Sequence, residues 1–185
     1  TLSEEEQVAM INQLRQLPNH AEKLLAQAGK IRKIARKIVN HEHLFYMGRG
    51  LDYAVSLEGS LKLKEISYIH SEAYAAGELK HGTLALIEEG TPVIALATQK
   101  ALFEKTLSNI KEVKARGAYV IGLRMGKNDE FDASVDDILE IPNVHPLLTP
   151  PLAVITLQLL AYYTAVLRGN DVDKPRNLAK SVTVE

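Results

Sequence analysis

A parallel α/β sheet covered by helices on both faces is predicted by three features. From residue 43 onward, short apolar runs alternate with stretches of helical period, the pattern of β-α-β units. The apolar runs are four to eight residues long, and Thr91–Thr98 (TPVIALAT) is apolar almost throughout, as a strand buried on both faces requires. Glycines or prolines punctuate the ends of these runs, at Gly48, Gly50, Gly117, Pro142 and Gly169.

Taken in order, Ser3 with Glu6 forms a capping-box pattern, and Glu4 and Glu5 suit the positive end of a helix. Leu17-Pro18-Asn19 is expected to end that helix. A second helix is expected from about His20 to Val39. Ile31, Ile34, Ala35 and Ile38 share its inner face, and Lys30, Arg32, Lys33, Arg36 and Lys37 form a solvated outer one. Strands follow at His43–Met47, Thr91–Thr98, Ala118–Leu123 and Asp137–Ile141. Helices are expected at Leu51–Ser67, Leu102–Arg116 and Pro151–Arg168, the last with proline in its first turn and Gly169 at its C-cap. Residues 70–82 (HSEAYAAGELKHG) read as a polar, poorly periodic loop, and the tail DVDKPRNLAKSVTVE reads as irregular. This divides the chain into N-terminal helices (1–42), an α/β domain (43–169) and a tail (170–185).

Composition narrows the function. The 185 residues are 46% hydrophobic and 24% charged, which argues against a disordered, collagen-like or coiled-coil chain. Twenty-two basic against 23 acidic residues give a net charge of -1, so no global field draws nucleic acid or anionic membrane. With no cysteine, disulfides, thiolate metal sites and a cysteine nucleophile are excluded, and a cytoplasmic location is expected. The chain starts at Thr1 without a leader pattern and reads as a piece of something longer. The apolar run Leu147–Leu167 carries Pro150, Pro151, Thr156, Gln158 and Thr164, and is expected to be a buried core helix rather than a membrane span.

Three places could carry chemistry. Gly48-Arg49-Gly50 lies at a strand's C-terminal end and opens a helix, where backbone N–H groups can hold an anion; a plain tight turn is the competing reading. On the following helix, Glu58, Lys62 and Glu65 fall within roughly 60° of one another at about 100° per residue. Apolar Val55, Ile66, Ala54 and Leu61 flank that arc, with Ser56, Ser60 and Lys64 opposite. Three charges on an apolar face are expected either to form a buried ion pair or to serve a site, with a carboxylate tuned as a base. Glu65 is then expected near the C-terminal edge of the sheet. The polar run with His70, Glu72, Glu78, Lys80 and His81 is a further candidate. Neither its histidines nor His41-Glu42-His43 have convincing metal-site spacing, so no metal or cofactor is expected.

The long motif EGSLKLKEISYIHSEAYAAGELKHGTLALIEEGTPVIAL, with the terminal DVDKPRNLAKSVTVE, resembles the glucosamine-6-phosphate synthases, the isomerizing glutamine–fructose-6-phosphate aminotransferases. The resemblance covers nearly the whole chain and implies the second of two sugar-isomerase (SIS) subdomains, which follow a glutaminase domain. It implies a three-layer sandwich with about five parallel strands. Its activity makes glucosamine 6-phosphate from fructose 6-phosphate and glutamine-derived ammonia. By the same resemblance, Glu65 of KLKE is the base that moves a proton between adjacent carbons, and Lys62 is a site lysine. His81 of KHG opens the sugar ring from a neighbouring subunit. Lys180 of NLAKS engages the sugar from a tail that closes over it, and Ala179 contacts it. Glu58 and Gly48-Arg49-Gly50 are candidate substrate contacts. A homodimer is expected, with the first SIS subdomain and the glutaminase as partners. The family's hydroxyl-rich phosphate loop (Ser-Gln-Ser-Gly-x-Thr) is absent from this sequence, and Thr83 replaces a common proline. A sugar-phosphate sensor, or another SIS isomerase or deglycase, remains the alternative.

Overall fold

The computed structural model describes residues 3–178. Helix α1 (Glu4–Leu25) opens on the capping box: Ser3 Oγ accepts the Glu6 N–H, and Glu6 answers to the Ser3 N–H at 2.8 Å. It runs through Pro18 instead of ending there. Leu14 and Pro18, the pair whose hydrogen bond is lost, both lie on the exposed side, while Leu17 and Leu24 pack inward. The break comes at Ala26-Gln27, and α2 (Ala28–Ile38) then buries Ile31, Ile34, Ala35 and Ile38 as the periodicity requires.

Five strands form one parallel sheet: β1 (His43–Gly48), β2 (His70–Ala75), β3 (Pro92–Ala97), β4 (Tyr119–Met125) and β5 (Asp137–Ile141). Their spatial order is β2-β1-β3-β4-β5. The connecting helices are α3 (Leu51–Ser67), α4 (Phe103–Lys114), the single turn α5 (Asp129–Asp132) and the terminal α6 (Thr149–Leu167). One face of the sheet, with Tyr46, Ile94, Leu96, Ile121 and Leu139, packs on α2, α3 and α6. The other face, with Phe45, Met47, Val93, Ala95 and Val120, packs on Leu107, Ile110 and Val113 of α4 and on Phe131. The three-layer parallel α/β sandwich is therefore as expected.

β2 was not visible in the sequence. Residues 70–75 are an edge strand in register with β1, His43 opposite His70 through Gly48 opposite Ala75. An edge strand is half covered, so it lacks the continuous apolar run of β3. Its one buried side chain, Ser71, is polar. It is held by a reciprocal pair with α3, in which Ser60 Oγ donates to Ser71 O (2.9 Å) and Ser71 Oγ to Ser60 O (2.8 Å).

The long apolar run is a core helix. α6 buries Leu152, Ala153, Leu157, Leu160, Ala161 and Ala165. Thr156 and Thr164 are buried too, with their hydroxyls returned to the carbonyls of Leu152 and Leu160.

Candidate active site

Helix α3 carries the candidate base, and the structure reverses the face expected to be buried. Asp52, Val55, Ser56, Gly59, Ser60, Leu63 and Ser67 face the interior. Glu58, Lys62 and Glu65 lie on the outer side, with side chains 38%, 34% and 30% exposed. Close packing explains the exchange. A Cβ on Gly59 would stand 2.6 Å from Leu157 Cδ1 and 3.0 Å from Tyr46 Cε1, so only small residues fit between α3, α6 and β1. The buried Ser56 and Ser67 hydroxyls satisfy themselves on the carbonyls of Asp52 and Leu63. Hydropathy marks these serines as outward-facing, while Leu57 and Leu61 are left half exposed.

None of the three charges is in a dry core, and Lys62 and Glu65 line a cavity. Lys62 Nζ bonds Glu65 Oε2 at 2.8 Å and stands 4.0 Å from Glu58 Oε1. The bond to Glu65 is the main reason the Lys62 ammonium holds its proton above the ordinary lysine range. Glu65 Oε1 has no hydrogen-bond partner among the described residues. Lys62, Glu65 and Ile66 form one side of a cavity of about 740 Å³, and Val172, Asp173, Lys174, Pro175 and Leu178 form the other.

This cavity is not at the C-terminal edge of the sheet. A helix joining two parallel strands must run back against them. Glu65, in the last turn of α3 and five residues before β2, therefore sits at the edge where strands begin. Leu51 to Glu65 spans roughly 20 Å of helix axis at about 1.5 Å per residue. Gly48-Arg49-Gly50 and Glu65 are not brought together.

At the glycine turn the Arg49 side chain and the neighbouring Thr98 and Gln99 N–H groups are already engaged. The strand order puts the ligand crevice of such a sheet between β1 and β3. There Asp52, 2% exposed, accepts from Thr98 N (2.8 Å), Thr98 Oγ1 (2.5 Å) and Gln99 N (3.3 Å). Burial pushes its carboxyl above the usual range while these hydrogen bonds pull it down. Arg49 is likewise engaged, its Nε and Nη2 donating to Asn109 Oδ1 at 3.1 and 2.9 Å. A Cβ on Gly48 would meet the Asp52 and Tyr53 backbone at 2.5–2.8 Å, so close packing of the helix on the strand requires that glycine.

His81 ends a short 3₁₀ turn (Ala76–His81) beyond β2. Its side chain is 74% exposed, 3.9 Å from Glu78, and it does not line the Glu65 cavity. Ala179 and Lys180 lie outside the described residues. Among the described residues no group of three or more histidines and carboxylates could hold a metal.

Sequence reasoning missed the residues that attach the tail. Asn170 Nδ2 donates to the carbonyls of Ile66 (3.0 Å) and Ser67 (3.2 Å), capping the end of α3. The Arg176 N–H donates to Tyr68 Oη at 2.9 Å, and its guanidinium lies 4.1 Å from the Tyr68 ring centroid. Asparagine and tyrosine in an aperiodic stretch give no signal of this kind. Only their meeting across about a hundred residues does.

Comparison with known proteins gives the family of the chain. Residues 37–168 match the family model described as SIS domain. The chain is 61% identical over 185 residues to glutamine–fructose-6-phosphate aminotransferase [isomerizing] of Caldanaerobacter subterraneus subsp. tengcongensis. It is 58% identical over 177 residues to the enzyme of that name from Symbiobacterium thermophilum. It spans all or nearly all of its own length in these matches (100% and 96%), but only about 30% of the relatives' length. Among solved structures it superposes on the C-terminal domain of glucosamine-fructose-6-phosphate aminotransferase from Francisella tularensis. That match has a TM-score of 0.85 at 37% identity, covering 94% of this chain and 49% of that one.

Proposed function

Since the chain belongs to the SIS domain family, we propose that it is the second SIS half of the isomerase module of a glutamine–fructose-6-phosphate aminotransferase. The observation that carries this is the Lys62–Glu65 pair on the wall of the cavity, with Glu65 Oε1 facing no hydrogen-bond partner among the described residues. In the proposed reaction Glu65 moves a proton between adjacent carbons of the open-chain sugar. An enediolate oxygen that develops during this transfer is stabilised by Lys62. Its ammonium is held protonated by Glu65, so it serves as a fixed positive charge and not as an amine nucleophile. Glu58 adds a second carboxylate about 4 Å from the same ammonium.

The remaining assignments follow the family resemblance. Lys180 engages the sugar with Ala179 beside it, from a tail that closes over the site. His81 opens the sugar ring of a neighbouring subunit, which suits its exposure and its distance from the cavity of its own chain. Exposed Leu57, Leu61, Tyr162 and Val166 on α3 and α6 support a homodimer. The other SIS half supplies the phosphate anchor, since the Thr98 and Gln99 N–H groups at the crevice of this half are taken by Asp52. A glutaminase domain supplies ammonia. The cysteine-free composition accords with a reducing cytoplasm.

The test joins this chain to the isomerase half that precedes it in its relatives and follows conversion of fructose 6-phosphate to glucose 6-phosphate. The joined protein turns over and the 185-residue chain alone does not. Glu65→Gln lowers turnover by about 10²–10⁴-fold while a binding titration still detects the sugar. Full turnover by that variant overturns the assignment of the base. Sedimentation at micromolar concentration gives twice the chain mass if the dimer is correct.

A further inference from the structure

We infer that Tyr68 is a positioning residue that holds Val172–Leu178 as the wall facing Lys62 and Glu65. This rests on reading that cavity as the sugar site.

Tyr68 terminates α3 with φ 61°, in the left-handed region. Among the described residues Asn177 (φ 62°) is its one non-glycine companion there, and it lies in the segment that Tyr68 holds. Asparagine visits this region readily, whereas a bulky aromatic does not. A glycine would end the helix at lower cost, and the backbone bond from the Tyr68 N–H to Lys64 O is long at 3.3 Å. Helix termination alone therefore does not explain a tyrosine. Its side chain does: the hydroxyl accepts the Arg176 N–H and the ring carries the Arg176 guanidinium. A strained conformation persists where the surroundings over-determine it.

The attachment is double. Asn170 holds the carbonyls of Ile66 and Ser67, and Tyr68 holds Arg176. Between them Asp171 Oδ1 accepts from the N–H groups of Asp173 (2.9 Å) and Lys174 (3.2 Å), turning the chain tightly. Glu65 is one turn before Tyr68 on the same helix. The base and the opposite wall of its cavity are thus referenced to one helix end.

Hydrogen exchange on this chain tests the attachment. Tyr68→Phe removes the hydroxyl and keeps the ring, and is expected to speed exchange of the Arg176 amide about tenfold. Tyr68→Gly removes both contacts while giving the helix end the residue best suited to φ 61°. It is expected to speed exchange across 172–178 while leaving β3 unchanged. Equal acceleration in β3 would make Tyr68 a fold residue and overturn the proposal, as would unchanged exchange at 172–178. In the joined isomerase, Tyr68→Gly is expected to raise KM for fructose 6-phosphate about tenfold with a smaller change in kcat. Arg176→Leu reproduces that effect and Arg176→Lys, which keeps a cation over the ring, largely avoids it. A loosened wall with unchanged KM would overturn the positioning role. The reading of the cavity is tested separately by Glu65→Gln, whose failure leaves the exchange results standing.

Discussion

Replacing Asp52 by alanine removes the acceptor of two backbone N–H groups, Thr98 and Gln99, and of the Thr98 hydroxyl. The hydroxyl has an alternative partner in Thr149 Oγ1 at 3.3 Å. The Thr98 N–H has none, and the site is buried. A buried donor left unpaired costs about 1–3 kcal/mol, and the vacated carboxymethyl volume adds to this. Against that, the variant no longer buries a charge, a smaller relief because three hydrogen bonds already compensate that charge. We expect a net loss of about 1–3 kcal/mol, or roughly 3–10 °C in Tm for a chain of this size. Asp52→Asn keeps one acceptor and the shape, and loses less. The pH dependence separates the terms. Burial raises the folded-state carboxyl above its unfolded value of 3.8, so the native state holds that proton more tightly. The group's contribution to stability is greatest below pH 3.8 and falls as pH rises through the folded value. Asp52→Asn should therefore compare more favourably with the parent at pH 7 than at pH 3.5. Urea unfolding followed by circular dichroism at both pH values measures this. Parallel pH profiles for the two proteins, or an Asp52→Ala variant as stable as the parent, would refute the reasoning.

Other outcomes follow from the same structure. Gly59→Ala gains about 1 kcal/mol of helix propensity but drives a methyl to 2.6 Å from Leu157. A net loss of about 1 kcal/mol is expected by urea unfolding, with a favourable coupling when Leu157 is also cut to alanine. Gly48→Ala meets backbone atoms at 2.5–2.8 Å that cannot step aside; it should lower Tm more than Gly59→Ala, and an unchanged Tm would show that the turn is held less tightly. Arg124 is buried and forked onto Asp132 at 2.5 and 2.8 Å. Lysine cannot reproduce the fork, so Arg124→Lys should destabilise measurably in thermal melts. Tyr74 donates to Glu72, the main reason that carboxyl lies below its ordinary 4.5. A depressed folded value contributes stability above pH 4.5 and loses it as pH falls, so the advantage of the parent over Tyr74→Phe should shrink in acid.

Much of the architecture was legible because hydrophobic burial is written as period and run length. β3, β4 and β5 announced themselves as short apolar runs, and α2 as a stripe at helical spacing. α6 read correctly as a core helix despite its length. Three element readings failed because period does not show where polar groups find their partners, in the interior or in solvent. β2 hid because its buried residue is a serine paired with another serine. α1 passed Pro18 because the lost bond lies on the exposed side. The buried face of α3 was inverted because serine and glycine, not leucine, allow α6 to approach.

For the site, the sequence by itself determined that Glu58, Lys62 and Glu65 share one helical arc, since i, i+3 and i+4 spacing leaves no other arrangement. It also marked the motif whose relatives are aminotransferases. Only the tertiary structure decided which sheet edge Glu65 occupies, that Asp52 takes the Thr98 and Gln99 N–H groups, and that Asn170 and Arg176 bind the end of α3. The reason is physical. Covalent spacing sets which side chains of one helix are neighbours. Which buried polar groups find partners is settled only when segments far apart in the chain are brought together.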